Sequence, residues 1–264
     1  MKKISLLLMA AACMLVSVSS CSSPQSKEKT DKAKPTVRQG LEETRYNYPL
    51  YGNVSEIVTS AICNGCGYGS SVITFNEAGD VDCFSEYDEG YTSSSSLFYD
   101  ESGRLVSIAA QLTSEFEDGI LETSRKEFVY DESGKLVCKN LYQGGIDLAS
   151  VEKFFYDKKG CLSKSELKWE NGFSFDVDCT YDKSGKKITE LEDGILKKYK
   201  YSYDKKGVCT GYVMTSDVDE ERREYKYDHK GNVIEVNDYM SGEVEPYMTT
   251  WYEITYADQA TSTK

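Results

Sequence analysis

Along most of the chain, apolar and polar residues alternate with a period of two, in short runs that each end at a fixed kind of turn. Phe128 and Tyr130, Phe154 and Tyr156, Tyr201 and Tyr203, and Tyr225 and Tyr227 occupy alternate positions just before such turns. Alternation of this kind predicts β-strands with one buried face.

The turns share one signature: an aromatic residue, Asp, two polar residues, Gly, any residue, then an apolar one. It is fullest at Tyr99 with Asp100 and Gly103, at Tyr130 with Asp131 and Gly134, and at Tyr156 with Asp157 and Gly160. It continues at Tyr181 with Asp182 and Gly185, Tyr203 with Asp204 and Gly207, and Tyr227 with Asp228 and Gly231. A weaker copy opens the series at Phe75, Asn76 and Gly79, and a decayed one closes it at Tyr256. The Asp side chain accepts backbone N–H bonds, the polar pair fills the centre of a type I turn, and Gly supplies the positive φ of the bulge that follows.

Between signatures lie second turns at Asn64-Gly65, Asp118-Gly119, Gly144-Gly145, Asn171-Gly172, Asp193-Gly194 and Ser241-Gly242. Asn-Gly and Asp-Gly pairs suit the type I′ hairpin. Each repeat is therefore one hairpin, and the chain is expected to be all-β, a repetitive antiparallel meander of about sixteen strands. A flat ribbon of that many strands would be about 75 Å wide and tends to curl, so the expectation is a curved open sheet or a loose β-spiral. Its ends should fray first.

The N-terminus has a different pattern. Lys2 and Lys3 precede a short apolar run from Ile4 to Val18, too brief for a good membrane-spanning helix, which reads as an export signal over residues 1–20. The run ends in Val18-Ser19-Ser20-Cys21, which resembles the lipobox of bacterial lipoproteins. The resemblance implies cleavage before Cys21, acyl chains on that residue, and a partner in the lipid bilayer. The location implied is the bacterial cell envelope, at the outer membrane, on its periplasmic or exposed side. Residues 21–45 show neither apolar period and are expected to be the lipidated Cys and a flexible tether, with a reach of roughly 27 Å. Residues 46–260 then form the repeat domain and 261–264 a tail.

Charge narrows the choice of partner. The 31 Lys and Arg against 44 Asp and Glu give −13, with −17 concentrated after residue 45, so a nucleic-acid partner is not expected. The Tyr-Asp-x-x-Gly series resembles the YD repeats of the RHS and teneurin-like proteins, in a short lipoprotein form without a toxin domain. In the large relatives such repeats build a spiralling β-sheet shell. What the resemblance leaves for so short a chain is surface binding or scaffolding.

Candidate chemistry is sparse. Cys63 and Cys66 form a Cys-x-x-Cys at the tip of the first hairpin, read as a structural disulfide or free thiols, with metal binding and redox activity as the alternatives. Cys179 and Cys209 stand at core-facing positions and read as small hydrophobes. The one histidine, His229, lies in a turn, so no metal site and no cofactor are expected. Asp217, Asp219 and Glu220 read as a solvated turn, with a calcium loop as the alternative. No hydrolase or nucleotide motif is present, although carboxylate pairs that meet only in three dimensions remain open. Trp169 and Trp251 are candidates for stacking on sugar rings. The expected function is non-enzymatic: a membrane-anchored repeat lipoprotein that presents an extended β-sheet surface to an envelope protein or a glycan. A carbohydrate-binding surface and, more distantly, a polysaccharide hydrolase are the alternatives.

Overall fold

The computed structural model describes residues 38–63 and 66–257. They form sixteen antiparallel strands in chain order. The first eight are β1 (Val54–Cys63), β2 (Cys66–Phe75), β3 (Val81–Asp88), β4 (Tyr91–Tyr99), β5 (Leu105–Ser114), β6 (Ile120–Tyr130), β7 (Leu136–Gln143) and β8 (Asp147–Tyr156). The second eight are β9 (Leu162–Trp169), β10 (Ser174–Tyr181), β11 (Lys187–Glu192), β12 (Ile195–Tyr203), β13 (Cys209–Thr215), β14 (Glu220–Tyr227), β15 (Val233–Met240) and β16 (Met248–Tyr256). Every strand pairs with its sequence neighbours, and β16 also pairs with β1 from Val54 opposite Tyr256 to Cys63 opposite Met248.

That last pairing corrects the expected open sheet or loose spiral: the sheet is a closed barrel, with no free edge and no ends to fray. Closure satisfies the two rows of backbone groups that an open meander would leave bare. The register that achieves it joins residues some two hundred positions apart, and nothing in the local alternation announces it.

The signature turns are built as their residues dictate. In the turns that begin at Asp100, Asp131, Asp157, Asp182, Asp204 and Asp228, the carboxylate accepts the backbone N–H of the residues two and four positions on, at 2.7–3.0 Å. The seven signature glycines, Gly79 to Gly231, all have φ between 76° and 97°. The strand register shifts at each signature aromatic, which is the bulge that the glycine completes. At Gly134 an added Cβ would meet nothing within 4 Å, so the cost of a side chain there is backbone strain alone. Gly134→Val should lower stability by about 1–3 kcal/mol in urea denaturation, and an unchanged midpoint would reject the turn assignment.

The second turns follow expectation in part. Asp193 and Gly194 both have positive φ, as a type I′ turn requires, and so do Glu89 and Gly90, a turn the sequence reading passed over. Asn171-Gly172 is corrected: Gly172 donates to the Trp169 carbonyl and Trp169 to Phe173, which is the type I turn with a bulge seen in the signatures.

The signature tyrosines point into the barrel and tie its turns together. Tyr130 donates its hydroxyl to the Leu105 carbonyl at 2.8 Å, Tyr156 to Leu136 at 2.6 Å and Tyr227 to Cys209 at 2.5 Å. In β12 the duty passes to Tyr201, which reaches the Lys187 carbonyl at 2.9 Å, while the signature Tyr203 is exposed.

An ideal sixteen-strand cylinder is about 30 Å across, too wide for side chains from opposite walls to meet. Residues 38–53 remedy this by looping into the lumen. The segment enters at the signature end, where the Arg38 guanidinium donates to the carbonyls of Gly79 and Gly52. It leaves at the same end, where Asn232 accepts the Tyr51 N–H at 2.6 Å and donates to the Tyr51 carbonyl at 3.0 Å. Between these points Leu41, Tyr46 and Leu50 are buried against Ile57, Ile73, Phe84, Leu105 and Val236 of the wall. Residues 38–45 are thus part of the folded body, which corrects the expected tether boundary; Cys21 and the rest of that segment lie outside the described residues.

Candidate functional site

The lumen holds charge as well as apolar side chains. Glu43, on the inserted segment, has a side chain only 5% exposed; it accepts from Lys126 of β6 and forms an ion pair with Lys139 of β7, each at 2.6 Å. Burial acts against its charge, but the two ammonium groups outweigh it and hold the carboxyl down to about 2. Glu42 and Glu152 are pushed up by burial, with Lys139 opposing the shift. A second buried group joins Glu190 of β11 to Lys187 and to Lys197 of β12, and Tyr199 donates to Glu190 at 3.4 Å.

Carboxylates with opposed protonation tendencies in one place are the raw material of acid–base chemistry. Here the inserted segment lies over them, and Glu43 has both oxygens committed to lysines. The arrangement is a strut between segment and wall. The sequence reading missed it because Glu42 and Glu43 fall in the stretch taken as tether. The available signal was parity: Lys126 alternates with Phe128 and Tyr130, and a charge on that face needs a partner.

Parity also defines the outer wall. If Lys126, Phe128 and Tyr130 face inward, then Arg125 and Glu127 face outward, and they pair with each other at 3.1 Å. Lys164 bridges Glu166 and Asp176, Arg222 pairs with Glu224, and Lys226 pairs with Glu235, all on outward positions of β9, β10, β14 and β15. A lipid-spanning barrel carries an apolar outer band, and each midplane Lys or Arg costs about 2–4 kcal/mol there. The described wall carries these paired charges on its outer face, interspersed with exposed apolar side chains such as Val72, Phe98, Val129 and Phe155. Among the described residues, no helix is long and apolar enough to cross a membrane.

Two depressions mark the exterior. One, of about 350 Å³, lies over Gly211 of β13 and is lined by Ser202, Val213, Arg222, Glu224, Lys226 and Asn237. It exists because Gly211 has no side chain, and a Cβ there would stand 2.1 Å from the Arg223 carbonyl oxygen. Its charged groups are already paired. The other, of about 340 Å³, lies between β10 and the β11–β12 turn, beside Phe175 and Leu191.

The residues nominated from sequence do not converge. Cys63 stands opposite Cys66 in the register and is a free thiol. Cys179 is buried, as its core position implied, and Cys161 is disulfide-bonded. Trp169, opposite the buried Ser150, shares the inner face, whereas Trp251 is 38% exposed on the outer wall seven strands away. The two tryptophans cannot line one sugar-binding surface. His229 is exposed in its turn. Ser216 accepts the backbone N–H of Val218 and Asp219, which makes 216–219 a serine-capped turn. Among the described residues, no group of three or more His, Cys, Asp or Glu is placed to hold a metal.

Fold and surface together define a closed β-barrel with residues 38–53 packed inside it and ion pairs on its outer wall. No family model matches the chain, and no curated protein matches it. Among solved structures, a porin-like protein from Bacteroides uniformis is similar with a TM-score of 0.39 and 12% identity, over 76% of this chain and 98% of that one. A Tc holotoxin pore from Photorhabdus luminescens is similar with a TM-score of 0.28 and 11% identity, over 71% of this chain and 15% of that one.

Proposed function

We propose that this chain is a lipid-anchored barrel of the bacterial cell envelope that acts without catalysis, presenting its outer surface for protein or glycan contact. The observation that carries this reading is the charge on the outer wall, where Arg125, Lys164, Arg222 and Lys226 pair with carboxylates. Residues 38–53 occupy part of the lumen, and the outward charges break up any continuous lipid-facing band, which favours contact through the wall and the rims. The anchor rests on the lipobox-like run ending at Cys21. Several acyl chains hold a protein at a bilayer stably, each buried CH₂ contributing about 0.8 kcal/mol.

The test is fractionation and conductance. In a bacterial host the full-length chain should pellet with membranes, and Cys21→Ser should release it to the soluble fraction as a monomer that needs no detergent. Planar bilayers exposed to either form should show no conductance steps. A Cys21→Ser protein that still requires detergent, or one that opens channels, would overturn the reading.

Glycan contact is supported by Trp251, whose exposed ring stands on the outer wall opposite Glu235 of β15. An aromatic beside a carboxylate suits a sugar ring and its hydroxyls. Binding on a glycan array should then be lost in Trp251→Ala and kept in Trp169→Ala, whose side chain faces inward. Equal loss in both would argue against it.

A further inference from the structure

The two ends of the barrel differ in chemistry. At the signature end, the seven turns from 76–80 to 228–232 carry ten acidic and nine basic residues, and no large apolar side chain is exposed at any of them. At the far end, the seven described loops from 89–90 to 241–247 carry ten acidic residues and no Lys or Arg. Five of those loops also raise an apolar residue into solvent: Phe116 at 72% exposure, Ile146 at 80%, Phe173 at 56%, Val218 at 76% and Val244 at 83%.

Scattered apolar residues on a surface need no explanation. One on each of five loops, along an arc from the β5–β6 hairpin to the β15–β16 hairpin, and none at the opposite end, is a pattern. Successive hairpins stand about 10 Å apart, so the tips form a row of separate anchors flanked by carboxylates.

We propose that the far rim is a docking surface for a basic protein surface that carries apolar pockets. Charge complementarity selects that occupant. A bilayer is disfavoured because the seven described loops, with ten carboxylates and no Lys or Arg, are repelled by anionic lipid. Position agrees: the chain enters the barrel at the signature end through Arg38, so an anchor ahead of residue 38 leaves the far rim pointing away from the membrane. This assignment rests on the anchored, surface-presenting reading above and names the face and the partner's chemistry.

The test uses the whole mature chain carrying Cys21→Ser, and a variant that adds Phe116→Ser, Ile146→Ser, Phe173→Ser, Val218→Ser and Val244→Ser. The probes are a synthetic peptide of alternating Lys and Leu, a lysine-only peptide of equal charge, and phosphatidylcholine vesicles with and without phosphatidylglycerol. The alternating peptide should bind the parent at least tenfold more tightly than the five-tip variant, while the lysine-only peptide binds both alike and is released by salt. A second variant, Glu115→Gln, Glu117→Gln, Glu243→Gln and Glu245→Gln, should weaken both peptides. The changed tips are solvent-exposed, so melting temperatures should stay within a few degrees of the parent.

Equal binding of the alternating peptide by parent and five-tip variant would overturn the proposal, as would tip-dependent binding to vesicles in its place. Either result leaves the broader reading standing, because that reading fails on detergent dependence and conductance instead.

Discussion

Replacing Glu43 by glutamine should lower the stability of the barrel by about 3–5 kcal/mol at neutral pH. The substitution removes the carboxylate that pairs with both lysines, leaving only the less closely placed Glu42 and Glu152 beside Lys139, and the residual amide accepts far less strongly than the carboxylate it replaces. The same residue sets a pH dependence. Its carboxyl is held at about 2 in the folded barrel and returns to roughly 4.3 when the chain unfolds. The folded state therefore gains most from Glu43 above the unfolded value, and that gain, on the order of 3 kcal/mol, is lost as pH falls from about 5 towards 2. Urea titrations of the parent and of Glu43→Gln at a series of pH values should converge in acid and diverge at neutrality. Parallel curves would mean that the strut does not hold the segment.

Gly211→Ala should be as damaging, for a steric reason. The added methyl would stand 2.1 Å from the carbonyl oxygen of Arg223 on the neighbouring strand, and a backbone atom cannot swing away as a long side chain would. To make room, β14 has to shift, and with it the Arg223 guanidinium, which holds both oxygens of Asp238 at 2.5 and 3.1 Å. A loss of about 3 kcal/mol or more is expected, together with faster amide exchange confined to β13, β14 and β15. An alanine variant with the parent's stability would mean that the two strands are not so close. The contrast with Gly134 is informative, since there the side chain has open space and only the backbone resists.

What the sequence made legible was whatever is decided within a few residues. Each signature turn is specified by an Asp and a Gly three positions apart, so the turns, the hairpins, the number of strands and the inward face of Phe128, Tyr130 and Tyr156 could all be read. Closure could not, because the pairing of β1 with β16 depends on the summed twist and stagger of every strand between them. The lumenal segment was hidden for the opposite reason. Leu41, Tyr46 and Leu50 follow no period, since the segment is neither helix nor strand over most of its length and takes its shape from the cavity it fills. The faces of the tryptophans were obscured by the bulges: in β9 the inward positions run Leu162, Ser165, Leu167 and Trp169, with one step of three that a strict count of two misses.

Closure by antiparallel neighbours alone has an arithmetical consequence for how such a chain can change over generations. A ring in which every strand runs opposite to both its neighbours admits only even membership, so a single strand can be neither gained nor lost; the smallest duplication or deletion is a whole hairpin. Each such event alters the circumference by about 10 Å and detunes the fit between wall and inserted segment. A wall with any other number of hairpins would therefore fit residues 38–53 less closely than the sixteen-strand wall that surrounds them.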